Sequence, residues 1–248
     1  MRRLALVAAL AVAACGSAAP ASGLGSSVTV LAAASLSGAF TQIARSFEAL
    51  HPGLRVRLDF GGSPTLVTQI EQGDRADVFA SADQINMGNL EHAGLVAGTP
   101  QVFAHNRLEI VVQRGNPKHI ESLADLARPG LVYVTTAPQV PAGHYAALAL
   151  AAAHVRVTPK SEEVDVTAVL AKVELGEADA GIVYVTDVTS AGGKVTGVPI
   201  PSADNQVATY PLAVIRGAPD ERAAKAFVAY VTSRAGQATL KAYGFAPA

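Results

Sequence analysis

From Val28 onward the chain alternates short apolar runs with segments of helical period, and that alternation constrains the fold more than any other feature. "VTVLAA" (28–33) is apolar throughout, whereas the stretch 36–50 places Leu36, Phe40, Ile43, Ala44 and Phe47 at helical spacing. His51-Pro52-Gly53 then stops the helix. "LRVRLDF" (54–60) alternates apolar and polar residues like a half-buried strand, and a short helix follows around 65–72. The same reading gives a strand at 76–81, a helix at 84–92 closed by Gly94, a strand at 108–113, a short helix at "SLADL" and a strand at "LVYVTT". In the second half it predicts helices at 143–153 and 166–175 and a strand at 180–185. A long apolar strand at 206–215, broken by Pro211, and helices near 219–232 and 234–243 complete it. Alternation on this scale implies α/β layers with mainly parallel sheets.

The residues ahead of 28 read differently. Arg2 and Arg3 precede an unbroken apolar run from Leu4 to Ala14. That run is too short to span a bilayer but suits the apolar region of an export signal. It ends in "VAAC", whose Cys15 is the only cysteine of the chain, so no internal disulfide can form. "VAAC" after such a run resembles a bacterial lipobox, in which the cysteine is lipidated and becomes the new N-terminus; an unlipidated signal peptide beside an incidental cysteine is the alternative. The expectation is a lipoprotein signal peptide at 1–14 and a flexible Gly/Ala/Ser-rich tether at 15–27. The product is then exported and lipid-anchored at the membrane, facing the periplasm or the cell exterior. Loss of Arg2 and Arg3 changes the net charge from -1 to -3.

Half of the residues are hydrophobic, aromatics are 5%, tryptophan is absent and no basic run stands out. Stacking platforms or a basic stripe for nucleic acid are therefore not expected. In open α/β sheets ligands bind beyond the carboxyl ends of strands, where helices begin. Ser35 occupies such a junction, in the position of a helix N-cap. Ser63 precedes Pro64, a helix-start signal, and Gly61 and Gly62 before it permit close approach of the backbone. "VPAGHY" (140–145) and "EVDVTAVL" (163–170) start two more helices. Capping alone explains any single junction. Four of them share small residues and lack basic side chains, and helix N-termini offer unpaired N–H groups with a partial positive charge to an anion.

"VLAAASLSGAF", "GGSPTL", "ADVFASADQ", "VPAGHYA", "GIVYVTD" and "AYGF" follow one another in an order that resembles the periplasmic molybdate-binding proteins of ABC importers, over roughly residues 28–246. The resemblance implies the two-lobed type II periplasmic-binding-protein fold, with the ligand in a cleft between lobes. Lobe one would comprise 28–106 with 210–248 returning to it, and lobe two 107–209, with crossovers near Asn106 and Thr209 as hinge. It implies that Ser35 and Ser63 give hydroxyl and backbone donors, Ala142 and Val166 backbone N–H groups, and Tyr184 its phenol. Pro64 stands where the family often has another serine, and it has no backbone N–H. It further implies a monomeric binding protein, not an enzyme, without cofactor or direct metal-ion ligands. Its ligand would be molybdate or tungstate, and its partners the permease and ATPase of an importer.

Four other readings compete. Sulfate is also an unprotonated tetrahedral dianion, and only cavity size separates it from molybdate. Phosphate keeps a proton near neutrality and needs an acceptor, for which Asp165 is the one nearby candidate; iron binders use adjacent tyrosines, and no Tyr-Tyr pair occurs. A secreted serine hydrolase would use Ser35 or Ser63, but neither lies in G-x-S-x-G and the six histidines are scattered. With no titrating side chain among the proposed donors, affinity is expected to be flat from pH 6 to 8.

Overall fold

The computed structural model describes residue 24 and residues 26–248, so the expected signal peptide, most of the tether and Cys15 lie outside the described residues. In chain order the elements begin with β1 (Ser27–Ala33), a 3-10 turn (Ala34–Leu36), α1 (Ser37–Leu50), β2 (Arg55–Gly61) and α2 (Ser63–Glu71). Next come β3 (Val78–Ala80), α3 (Gln84–His92) and the long β4 (Val96–Gln113), then a 3-10 turn (Leu123–Ala127). The chain continues through β5 (Tyr133–Thr136), α4 (Pro141–Ala152), β6 (Ser161–Glu163), α5 (Val166–Glu174), β7 (Ala180–Tyr184) and α6 (Val185–Ser190). It ends with β8 (Val195–Pro199), β9 (Val207–Ile215), α7 (Glu221–Thr232), α8 (Arg234–Ala242) and β10 (Ala246–Pro247).

The strands form an α/β structure whose pairing is mixed. β1 lies parallel to β2 and β3, and β5 lies parallel to β6 and β7. β9 runs antiparallel to β3 and β4, and β4 runs antiparallel to β7, β8 and β10. Parallel pairing therefore dominates where strands feed site-bearing helices, and antiparallel pairing where the chain crosses between the two groups of strands. β4 makes that crossing: Val96–Arg107 pairs with β9, and Leu108–Gln113 pairs with β7 and β8.

The first half of β4 was not expected. Gly98 and Pro100 are residue types that weaken a strand interior, yet the pairing with β9 survives because β4 shifts register twice, between Ala97 and Gln101 and between Val102 and Ala104. Pro211 does not break β9; it sits opposite Val102 at the edge of the second shift, where its missing N–H interrupts least.

The helices bury the faces that the spacing predicts. Ala39, Phe40, Ile43, Ala44 and Phe47 of α1 are buried. Phe40 packs against Phe103 and Phe47 packs edge-on against Phe227, with ring centroids 5.7 and 5.4 Å apart. Around β5 and β7 the core is aliphatic, with Ile110, Val134, Val169 and Ile182 buried. Burial of each such side chain is worth about 1.5–3 kcal/mol, so the strand ends are held on rigid elements.

Candidate functional site

Five strand-to-helix junctions surround one small cavity. Ala33, Ala34 and Ser35 follow β1; Gly61, Gly62 and Ser63 follow β2; Val140, Pro141 and Ala142 open α4; Asp165 and Val166 open α5; Tyr184 ends β7; and Ala82 completes the wall. All five residues singled out from the sequence, Ser35, Ser63, Ala142, Val166 and Tyr184, line this space, although 149 positions separate the first from the last.

The capping pattern explains what the wall offers. The first N–H groups of a helix have no partner within it. Away from the cavity wall, side chains supply one: Asp220 accepts from Ala223 N at the start of α7, and Ser233 accepts from Gly236 N at the start of α8. Asp83 likewise accepts from Asn86 N in α3. The 3-10 turn at Ala34, α1, α2 and α4 have no side-chain cap. At α5 the Asp165 carboxylate accepts from Thr167 N and Ala168 N, and Val166 N is not among its partners. Uncapped starts thus gather at one cavity, and small residues there let the backbone come close. At Gly143 in α4 a Cβ would lie 2.4 Å from the carbonyl oxygens of Thr136 and Ala137, so only glycine lets this helix start so near the end of β5.

Two expectations about the serines change. Ser35 is not an N-cap: it lies within the 3-10 turn, and its Oγ pairs with Tyr210 Oη at 2.9 Å. Ser63 is the first residue of α2 rather than the residue before it, with Gly62 as N-cap, and its Oγ accepts from Ala82 N at 3.2 Å. That bond occupies a lone pair and leaves the Ser63 hydrogen for a further acceptor.

Tyr184 is 1% exposed, and its Oη meets no partner in hydrogen-bonding geometry although it lies beside Tyr210. Burial foremost, and then the neighbouring Tyr210, Tyr145, Asp187 and Asp83, push this phenol well above its ordinary range, so it stays protonated and able to donate. A buried hydroxyl without a partner is costly, and here it belongs to a residue of the cavity wall.

The wall carries no Lys, Arg or His, and Asp165 is its one charged residue. Behind it, Asp187 is buried and accepts from Tyr184 N at 2.9 Å. Burial pushes its carboxyl up to about 7, the bond from Tyr184 N pulls it back, and the charge of Asp165 raises it again. Sequence reasoning missed Asp187, Ala82 and Tyr210, and it noted Asn106 only as a crossover. Among the described residues no group of three or more His, Cys, Asp or Glu side chains is placed to hold a metal ion. The arrangement can surround a small anion with hydroxyl and backbone donors; neither serine hydroxyl is bonded to a histidine or carboxylate that would make it a nucleophile.

The profile of the bacterial extracellular solute-binding proteins matches residues 28–246. The chain is 47% identical to the molybdate-binding protein ModA of Mycobacterium tuberculosis over 239 residues, 94% of this chain and 92% of that protein. Among solved structures, the periplasmic molybdate-binding protein of Azotobacter vinelandii superposes with a TM-score of 0.78 at 21% identity, covering 89% of this chain and 99% of that one. The sulfate-binding protein SubI of Mycobacterium tuberculosis superposes with a TM-score of 0.77 at 22% identity, covering 90% and 87%. Both superpositions show the type II periplasmic-binding-protein fold.

Proposed function

Because the chain belongs to the bacterial extracellular solute-binding protein family, we propose that it captures molybdate, and tungstate with it, outside the cytoplasm and delivers it to the permease and ATPase of an ABC importer. It is a binding protein, not an enzyme. One observation carries the choice of ligand class: a cavity walled by uncapped helix starts holds two serine hydroxyls and an unpartnered tyrosine hydroxyl, with no cationic side chain. The hydroxyl and backbone donors suit a tetrahedral dianion without a proton, and the one carboxylate in the wall, Asp165, is engaged by Thr167 and Ala168 at the start of α5. Ser35, Ser63 and Tyr184 would donate through side chains, and Ala142 and Val166 through backbone N–H groups. Pro64, at the second position of α2, contributes none. Helix ends contribute about 0.3–1 kcal/mol each, up to about 2 when partly buried, so direct hydrogen bonds to the charged ligand supply most of the affinity.

Residues 28–106 with 210–248 would form one lobe and 107–209 the other, joined at β4 near Asn106 and at the start of β9 near Thr209. Ser35 and Ser63 then face Ala142, Val166 and Tyr184, and a ligand that touches both sets favours closure. The contact between Gly62 and the Val164 carbonyl across the cleft fits a closed form. The lipobox-like "VAAC" supports a lipid anchor on Cys15 of a monomer exported by the segment 1–14.

Sulfate is the second reading, favoured by the superposition on a sulfate-binding protein. Calorimetric titration of the purified soluble protein with molybdate, tungstate and sulfate decides between them. Saturable binding of one molybdate per chain, much tighter than sulfate, is expected; preference for sulfate would overturn the molybdate assignment.

A further inference from the structure

A chain of buried hydrogen bonds reaches the cavity from the crossover. Asn106 in β4, Tyr210 in β9 and Ser35 are all buried. Asn106 Oδ1 accepts from the backbone N–H of Arg107 at 2.9 Å, which settles the orientation of its amide group, because that N–H needs an acceptor. The opposite face of the amide can then only donate. Asn106 Nδ2 gives one hydrogen to Thr186 Oγ1 at 2.8 Å and the other to Tyr210 Oη at 3.3 Å.

Tyr210 Oη, having accepted from Asn106, holds one hydrogen of its own. Ser35 Oγ stands 2.9 Å away as its partner, and the neighbouring Tyr184 hydroxyl is not in hydrogen-bonding geometry. Either hydroxyl of this pair can donate; the arrangement that leaves the buried Tyr210 hydrogen with an acceptor has Tyr210 donating and Ser35 accepting. The Ser35 hydrogen is left over, on a hydroxyl that lines the cavity. Burial foremost holds the Tyr210 phenol far above its ordinary range, so its hydrogen is not lost at any physiological pH. Direction then runs one way along the chain, from the Asn106 Nδ2 group, which can only donate, to a serine whose hydrogen is left for the cavity.

We propose that Tyr210, oriented by Asn106, is a positioning residue that fixes Ser35 as a donor toward the cavity and thereby tunes the site to oxyanions that carry no proton. The inference rests on the oxyanion-binding reading above. Ser63 has a parallel arrangement, since its Oγ accepts from Ala82 N, but there the backbone imposes the direction and no side chain can alter it. At Ser35 the direction is written in two side chains far apart in sequence, and substitution can test it.

The test is a double-mutant cycle read by calorimetry, with molybdate as probe and hydrogen phosphate as the protonated comparison. Tyr210→Phe removes the donor to Ser35, and its molybdate affinity is expected to fall about tenfold. Made in a Ser35→Ala background, the same change is expected to cost less than about twofold, because no hydroxyl remains to orient. The ratio of molybdate to hydrogen phosphate affinity is expected to narrow in Tyr210→Phe, where Ser35 is free to turn and accept. Asn106→Leu, which lets Tyr210 accept from Ser35, is expected to show a smaller loss that also vanishes without the Ser35 hydroxyl. It carries the test if Tyr210→Phe fails to fold. Wild-type affinity in both variants, or losses that add fully to that of Ser35→Ala, would overturn the role of Tyr210. A wild-type protein that binds no molybdate would instead overturn the functional reading, and the positioning role with it.

Discussion

Replacing Tyr184 by Phe should move ligand affinity and ligand-free stability in opposite directions. The side chain is buried, and its hydroxyl has no partner within the protein. An unsatisfied buried hydroxyl costs roughly 1–3 kcal/mol. Deleting it keeps the ring and its edge-on contact with Tyr210, at a centroid distance of 5.8 Å, so the ligand-free fold should hold or gain stability. For a chain of this size a gain of 1 kcal/mol raises Tm by about 2–4 °C. With the anion bound, the same hydroxyl donates to a charged acceptor, worth roughly 1.5–3 kcal/mol, and its loss should weaken binding about ten- to a hundredfold. Calorimetric titration and thermal melting, each with and without molybdate, read both halves. Wild-type affinity would remove Tyr184 from the site; a large loss of ligand-free stability would show that its hydroxyl serves the fold.

Three other substitutions probe the surroundings. Asp187, pushed up to about 7, keeps in the folded protein a proton that the unfolded chain has released. Stability should therefore fall as pH rises from about 4 to 7 and level off above, and Asp187→Asn should remove that slope in pH-dependent melts. A bound dianion disfavours the Asp187 charge further, so molybdate affinity should fall as pH rises through about 7 rather than stay flat as the neutral donor set alone implies; an unchanged affinity from pH 6 to 8 would contradict this. Gly62→Ala would place a Cβ 2.4 Å from the Val164 carbonyl oxygen, a clash of about 1–3 kcal/mol felt in the closed form; calorimetry should find binding weakened several-fold or more, with melting of the ligand-free protein nearly unchanged. Cys15→Ser should abolish lipidation and leave binding by the soluble domain intact, as intact mass and membrane fractionation would report.

The sequence exposes those parts of the site that are written locally. A strand running into small residues and a helix start is visible at Ser35, at Gly62-Ser63 and at Val140-Pro141-Ala142, because the junction and its donors are neighbours in the chain. The Asp165-Val166 junction is legible in the same way, but Tyr184 needed the family resemblance, since nothing local separates a ligand tyrosine from one anchored in the core. The partners of the donors stayed hidden for a geometric reason. Ser35 meets Tyr210 across 175 positions and Asn106 meets Tyr210 across 104, and no periodicity encodes such contacts. The misreading of Ser35 as a cap has the same origin: a serine before a helix satisfies the local rule, but Tyr210 takes its hydroxyl instead. α6 was missed because Val185, Thr186, Val188 and Thr189 are β-branched residues that favour strands; its start, bonded from Tyr184 N to Asp187, is a tertiary outcome at the edge of the site.

The central claim is that neutral donors from these junctions hold molybdate in one place. Crystals grown with molybdate and measured near the molybdenum absorption edge test it most directly. One anomalous peak is expected, inside the cavity and within hydrogen-bonding reach, through the oxyanion oxygens, of Ser35 Oγ, Ser63 Oγ and Tyr184 Oη, with no Lys or Arg in contact. A peak elsewhere, a peak paired with a cationic side chain, or none in crystals of the wild-type protein at saturating molybdate would contradict the account.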